Sequence, residues 1–346
     1  MARIGVEELR HALGTVVETD GRRKVLVGFG IAIVAVYLLV MAVGWGDVVR
    51  TLERAAFGWV AVAALSSIAG LAAWAKAWQI VLGVLSVDVT YRKLVVTYLA
   101  ATFANYVTPF GQVGGEPFVA YVLAKDTGTS YEEGFASVVT LDLLNLVPFF
   151  SFATVGVGYL ALRTQLTATA EWLVLAIGAL SVAVPVLVIA GWTYRAQVEW
   201  GFVRLTEPIT SRTRISVEGV RDRVRGFYAA IERVAEEPGQ LVRALVFSYV
   251  GWVFFALPLY FAGLAIGVPL ELLLVLFVVP ASTLAGLLPL PGGLGGVEVA
   301  LVVLLVAMAS MSASAATAAS LLYRLASYWF VLGVGGIAAI WVTGRV

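Results

Sequence analysis

The chain contains no cysteine, so disulfides, thiol catalysis and cysteine-based zinc or iron–sulfur sites are excluded. It has one histidine, His11, in a polar N-terminal stretch, which leaves no basis for a histidine-built metal centre. Charged residues are scarce at 13%, the net charge of +1 says little by itself, and no nucleic-acid partner is expected. What fills the space is apolar: 61% of residues are hydrophobic and the mean hydropathy is +0.94. That composition belongs to an integral membrane protein, read as one transmembrane domain over residues 1–346.

Charge position carries more information than charge total. Residues 2–20 are read either as a short interfacial helix, with Ile4, Leu9, Leu13 and Val16 on one face, or as a polar tail; residues 1–24 form an N-terminal segment. Full spans are predicted at Val25–Gly44, Phe57–Leu85, Gly134–Leu160, Trp172–Trp192, Leu241–Ile266 and Ser314–Val342. Asp47–Arg54 reads as a polar turn. Residues 193–240 form the one sizeable hydrophilic loop. In it, Val217, Val220, Val224, Phe227, Ile231 and Val234 recur at helical spacing, predicting a helix on the membrane surface or, failing that, a small soluble cap.

The chain is organised around Pro-x-Gly-x-x-Gly-x-Glu, present twice. The first copy runs Pro109-Phe110-Gly111-Gln112-Val113-Gly114-Gly115-Glu116. The second runs Pro291-Gly292-Gly293-Leu294-Gly295-Gly296-Val297-Glu298. Proline and glycine break a helix, and inside a bilayer a break survives only where protein or a water-filled cavity satisfies the freed backbone groups. After Glu116, Pro117–Ala124 supplies eight residues before Lys125, roughly 12 Å of helix against a ~30 Å hydrocarbon core. A re-entrant hairpin is therefore predicted at each motif.

The motifs are offset by 182 residues (291 − 109 and 298 − 116). The same offset sets Asp142 on Arg324, each the principal charge of its span. With three crossings between the hairpins, the two units, centred on residues 94–160 and 270–342, form an inverted repeat. Arg50, Arg54 and Arg163 fall on one side and Lys76 and Arg324 within spans, so 18 of 23 basic residues (23 − 5) fall on the other. By the positive-inside rule that side, with both termini, is cytoplasmic, in the cell membrane.

Ionised groups at mid-membrane cost about 2.5–3.5 kcal/mol each on insertion scales. Glu116, Glu298, Arg324 and Asp142 are accordingly candidate ligand contacts, with Asn145 and Tyr323 beside them and Pro109, Gly111, Gly114, Gly115, Pro291, Gly293, Gly295 and Gly296 shaping the loops. The alternative is that they are internal ion pairs. No phosphate loop, Gly-x-Ser-x-Gly or cofactor motif is present, so no catalytic residue, cofactor or metal is expected.

Thr108-Pro109-Phe110-Gly111, Gly114-Gly115-Glu116, Leu290 to Glu298 and Leu322-Tyr323-Arg324-Leu325 together resemble the flippase-like superfamily that includes the transmembrane region of lysylphosphatidylglycerol synthases. The likeness covers about residues 25–342. It implies an all-α protein of six spans and two re-entrant hairpins that moves lipids or lipid-linked headgroups between leaflets. It maps Glu116, Glu298 and Arg324 onto the family's polar positions. The span after the first motif reads Leu141-Asp142-Leu143-Leu144-Asn145, without the basic residue relatives often carry, which implies a different headgroup preference. The synthase needs a soluble aminoacyl-transfer domain and the chain stops at Val346, so that enzyme is not expected. The expected ligand is a membrane lipid with a phosphate-bearing headgroup. Two alternatives are kept: an intramembrane enzyme acting on lipid headgroups, and an accessory subunit of a glycosyltransferase or lipid synthase.

Overall fold

The computed structural model describes residues 22–108, 116, 119–121, 123–124, 129–163, 168–210, 217–287 and 290–343. The N-terminal segment with His11, and Pro109, Gly111, Gly114 and Gly115 of the first motif, lie outside the described residues.

Every described element is helical. In chain order they are α1 Arg22–Val43, α2 Trp45–Glu53, α3 Phe57–Val84, α4 Tyr91–Val107, α5 Tyr131–Arg163, α6 Ala168–Thr193, α7 Arg195–Thr210, α8 Val217–Ala235, α9 Pro238–Ala265, α10 Leu272–Thr283, α11 Gly296–Ala309, α12 Ala313–Arg324 and α13 Phe330–Thr343. A π-helical stretch, Leu325–Trp329, joins α12 to α13 into one long rod. Such uniform helicity follows from the solvent: where no water meets the backbone, each N–H and C=O must be satisfied within its own segment.

Five stretches are long and apolar enough to cross a membrane, Phe57–Val84, Tyr131–Gly156, Pro238–Ala265, Pro291–Ala309 and Ala313–Val342, and the bent pair α1–α2 makes a sixth candidate. The protein is a multi-pass, all-helical membrane protein. The bend between α1 and α2 is 96° and sits at Gly44, whose φ of +116° suits glycine. Residues expected to form a polar turn, Asp47–Arg54, instead lie almost wholly in helix α2, with Val48 buried against the bundle and Thr51 donating to the Asp47 carbonyl at 2.8 Å. The amphipathic pattern of α2 stabilises it: one apolar stripe packs inward and the charged face turns out.

The centre of the bundle is the α3–α9 pair, its most extensive helix–helix interface. Ala56 N–H donates to the Ala265 carbonyl at 2.8 Å, Trp59 stacks on Phe261 at 5.8 Å, Ser66 Oγ donates to the Phe254 carbonyl at 2.7 Å, and Trp74 meets Trp252 edge-on at 5.5 Å. Numbers rise along one helix as they fall along the other, so the two run antiparallel. Small residues permit the close approach: a Cβ on Gly70 would stand 3.0 Å from the Gly251 carbonyl oxygen.

Helix starts recur at the motif offset. Adding 182 to 57, 91 and 131 gives 239, 273 and 313, beside the observed starts Pro238, Leu272 and Ala313. Packing recurs as well. Helix α4, which leads into the first motif, lies along α13, and α10, which leads into the second, lies along α5.

The hydrophilic loop folds as α7 and α8. The apolar stripe of α8 was expected against lipid or in a small soluble cap; its second half, from Phe227 to Val234, packs on the bundle. Ala230 and Val234 are buried in one cluster with Trp78, Val81, Leu94, Ala136 and Leu141, and Arg233 holds Glu133 of α5 at 3.0 Å. Periodicity shows that a helix has an apolar face, but not what covers it.

Candidate functional site

The second motif forms a tight break. Leu284–Leu287 is 3-10 helix, Leu290 is extended, and Gly292, Gly293 and Gly295 take φ of +54°, +64° and +82°. Those values suit glycine, and space forbids anything larger: a Cβ on Gly292 would lie 2.1 Å from the Tyr328 ring. Helix α1 covers the break from outside, with Gly28 against Pro291 and buried Ala32 beside Leu294 and Tyr328.

Glu298 occupies the third position of α11. One carboxylate oxygen, Oε2, accepts from Gly295 N–H at 2.6 Å, capping the helix start. The other, Oε1, accepts from Arg324 Nε at 2.7 Å. Arg324 also donates through Nη2 to the Gly292 carbonyl at 3.0 Å, and its guanidinium carbon lies 4.3 Å from the Tyr328 ring centroid. Glu298 is 1% exposed and Arg324 7%. Sequence reasoning offered two roles for these charges, ligand contact or internal ion pair; in this arrangement Arg324 and Glu298 are paired with each other and fasten the loop to α12.

The equivalent positions in the first unit are Glu116 (298 − 182) and Asp142 (324 − 182). The two side chains lie close enough to interact electrostatically. Both are only partly buried. Equivalent positions thus carry a carboxylate and a guanidinium in one unit and two carboxyl groups in the other.

Asn145 and Tyr323 are placed differently from one another. Asn145 is committed to α9: its carbonyl accepts from Trp252 Nε1 at 3.0 Å and its Oδ1 accepts from Ser248 Oγ. Tyr323 is buried beside Arg324.

Sequence reasoning missed the tyrosines packed beside Arg324. Tyr106 of α4 stacks on Tyr328 at 4.8 Å; the Tyr328 hydroxyl donates to the Tyr106 carbonyl at 3.2 Å, and the Tyr106 hydroxyl donates to the Ser327 carbonyl at 3.3 Å. Tyr98, two turns earlier, lies within electrostatic reach of both Asp142 and Tyr106. Asn105 Oδ1 is buried here with no hydrogen-bond partner among the described residues. A signal was available: Tyr98, Thr102, Asn105 and Tyr106 fall at i, i+4, i+7 and i+8, a polar stripe along one face of α4. The partner residue Tyr328 had no local signal. Among the described residues, no group of three or more His, Asp or Glu side chains could hold a metal ion.

The family profile described as the lysylphosphatidylglycerol synthase TM region matches residues 25–335. A UPF0104 membrane protein of Methanothermobacter thermautotrophicus is 29% identical over 321 residues, covering 90% of this chain and 93% of that protein. A second from the same organism is 28% identical over 337 residues, covering 93% and 94%. Another UPF0104 membrane protein, from Pyrococcus horikoshii, is 24% identical over 324 residues, covering 89% and 95%. The match takes in both Pro-x-Gly-x-x-Gly-x-Glu motifs, the helices between them and the Glu298–Arg324 pair, and the chain belongs to the lysylphosphatidylglycerol synthase transmembrane-region family.

Proposed function

We propose that this protein moves a lipid or lipid-linked headgroup between the leaflets of the cell membrane. Its two halves form an inverted repeat with re-entrant breaks. The observation that carries this reading is the pair of equivalent polar positions, Glu116 with Asp142 and Glu298 with Arg324, the second of them lined by the stacked Tyr106 and Tyr328. A soluble-like polar row inside a bundle this apolar is costly unless it serves passage of polar groups. The antiparallel crossing of α3 and α9, whose starts match at the motif offset, supports units of opposite sense. The family takes its name from the membrane region of a lipid synthase, which supports a lipid as the moving species.

The halves divide the work. Glu298 and Arg324 neutralise each other and fix the second break, which α1 covers. Glu116 and Asp142 keep polar capacity for the headgroup: two neighbouring carboxyl groups present acceptor oxygens to a headgroup donor, whereas those of Glu298 are taken by Arg324 and the Gly295 amide. A phosphate on the headgroup would be met by Arg324 only after it leaves Glu298.

The test is transbilayer movement of fluorescent phospholipids in proteoliposomes. Glu116→Gln and Asp142→Asn are expected to slow it at least tenfold while the protein remains folded. Wild-type rates in both folded variants would remove the reading. The carboxyl pair also suits acid–base chemistry on a headgroup; turnover of lipid in detergent, with no second compartment, would favour that enzyme over transport.

A further inference from the structure

The end of α6 and the start of α7 carry a feature that the translocation site does not use. Trp172, Leu175, Val182, Val186, Leu187 and Ile189 of α6 are exposed, so this side of the helix is an apolar, lipid-facing surface. It runs directly into Trp192, Tyr194 and Arg195, then Val198, Trp200 and Arg204 on α7, where apolar exposure gives way to aromatic and basic groups. Arg195 lies 5.3 Å from the Trp192 ring centroid and Arg204 lies 5.0 Å from that of Trp200. Tyr228 of α8 braces Trp192 edge-on at 6.0 Å.

Among the described residues, three other arginines nearby have a carboxylate partner. Glu199 takes both Arg225 at 3.1 Å and Arg221 at 3.4 Å, and Glu133 takes Arg233. Arg195 and Arg204 have no carboxylate partner among the described residues. Each is instead laid on an indole face, which leaves guanidinium N–H groups free to point outward.

We propose that the segment Trp192–Arg204 is a binding surface for the phosphates of anionic phospholipids in the leaflet facing the hydrophilic loop. Charge complementarity and continuity with the lipid-facing side of α6 set both the partner and the depth. Indole rings favour the headgroup layer, and two unpaired guanidinium groups at that level meet phosphate esters. The inference stands apart from lipid translocation: a protein that binds anionic lipid here need not transport it.

The experiment uses the whole chain in nanodiscs of phosphatidylcholine with increasing phosphatidylglycerol. Thermal stability of the wild type is expected to rise with phosphatidylglycerol fraction. Arg195→Gln/Arg204→Gln should match it in pure phosphatidylcholine and need roughly fivefold more anionic lipid per arginine lost to reach the same shift. Because the chain has no cysteine, Val198→Cys with a spin label reports depth while both arginines remain. Relaxation by a lipid-anchored nickel chelate, exceeding that by a soluble one, is expected. A label in bulk water would overturn the proposal and leave the surface to a soluble partner. An unchanged phosphatidylglycerol dependence in the double variant would also overturn it. So would the same stabilisation by inorganic phosphate in phosphatidylcholine discs.

Discussion

The Glu298–Arg324 pair sets up a sharp test of what holds the second break. Glu298→Gln leaves Arg324 as a charge 7% exposed in a low-dielectric setting, with Gly292 O and the Tyr328 face as its remaining partners. Breaking one side of a buried pair costs about 3–5 kcal/mol, because the surviving ion has no counter-charge. The amide oxygen that Glu298→Gln introduces can still accept from Gly295 N–H, so the cap is kept and the loss reads the missing counter-charge. Arg324→Met inverts the problem, leaving Glu298 with the Gly295 amide alone. In the double variant neither ion remains, and most of the loss should return: the penalty falls to about 1–2 kcal/mol, a coupling of several kcal/mol. Unfolding followed by intrinsic tryptophan fluorescence in detergent reads this directly, since the chain has 10 tryptophans. Each single variant should melt roughly 6–10 °C lower, and the double variant clearly above both. Additive losses in the double variant would refute the pairing as the element that fastens the loop.

Three further outcomes follow from the same geometry. Gly292→Ala should cost more than 2 kcal/mol, since its φ is +54° and the new Cβ would meet the Tyr328 ring at 2.1 Å; a melting curve unchanged from wild type would contradict the break as described. Asp88 and Glu271 stand at the entries to α4 and α10, close to the 182 offset (88 + 182 = 270). An impermeant maleimide should label Asp88→Cys from the cytoplasmic face and Glu271→Cys from the other, and labelling of both from one face would end the inverted repeat. Ala230→Asp, at a position with no exposure, should lower stability by about 2–4 kcal/mol. Arg233→Gln, whose ion pair with Glu133 is largely exposed, should cost under about 1 kcal/mol, and equal effects would argue against α8 as a docked helix.

Much of the architecture is legible in the residues because the bilayer narrows the choices. Apolar runs of about 20 residues become helices, and a Pro-Gly-rich interruption within one must be a break. Hence the long helices at Phe57–Val84, Pro238–Ala265 and Ala313–Val342, and the break at Pro291–Gly295, fall where hydropathy and composition place them. The offset of 182 residues is likewise written in the chain, and it pairs Glu116 with Glu298 and Asp142 with Arg324 before any fold is known. These are local or periodic signals, and local physics governs them.

Contacts between helices answer to rotation, crossing angle and depth, which no short window contains. Only the tertiary structure decided that Glu298 closes on Arg324 while Glu116 meets Asp142, so that matching positions hold a neutralised pair in one half and two acids in the other. It also turned the apolar stripe of α8 inward onto Trp78 and Leu94 and stacked Tyr106 on Tyr328 across more than two hundred residues of chain. The reason is physical: an apolar face gains from any apolar cover, and an aromatic or charged side chain from any partner it can reach. Which partner it reaches is settled when the helices pack.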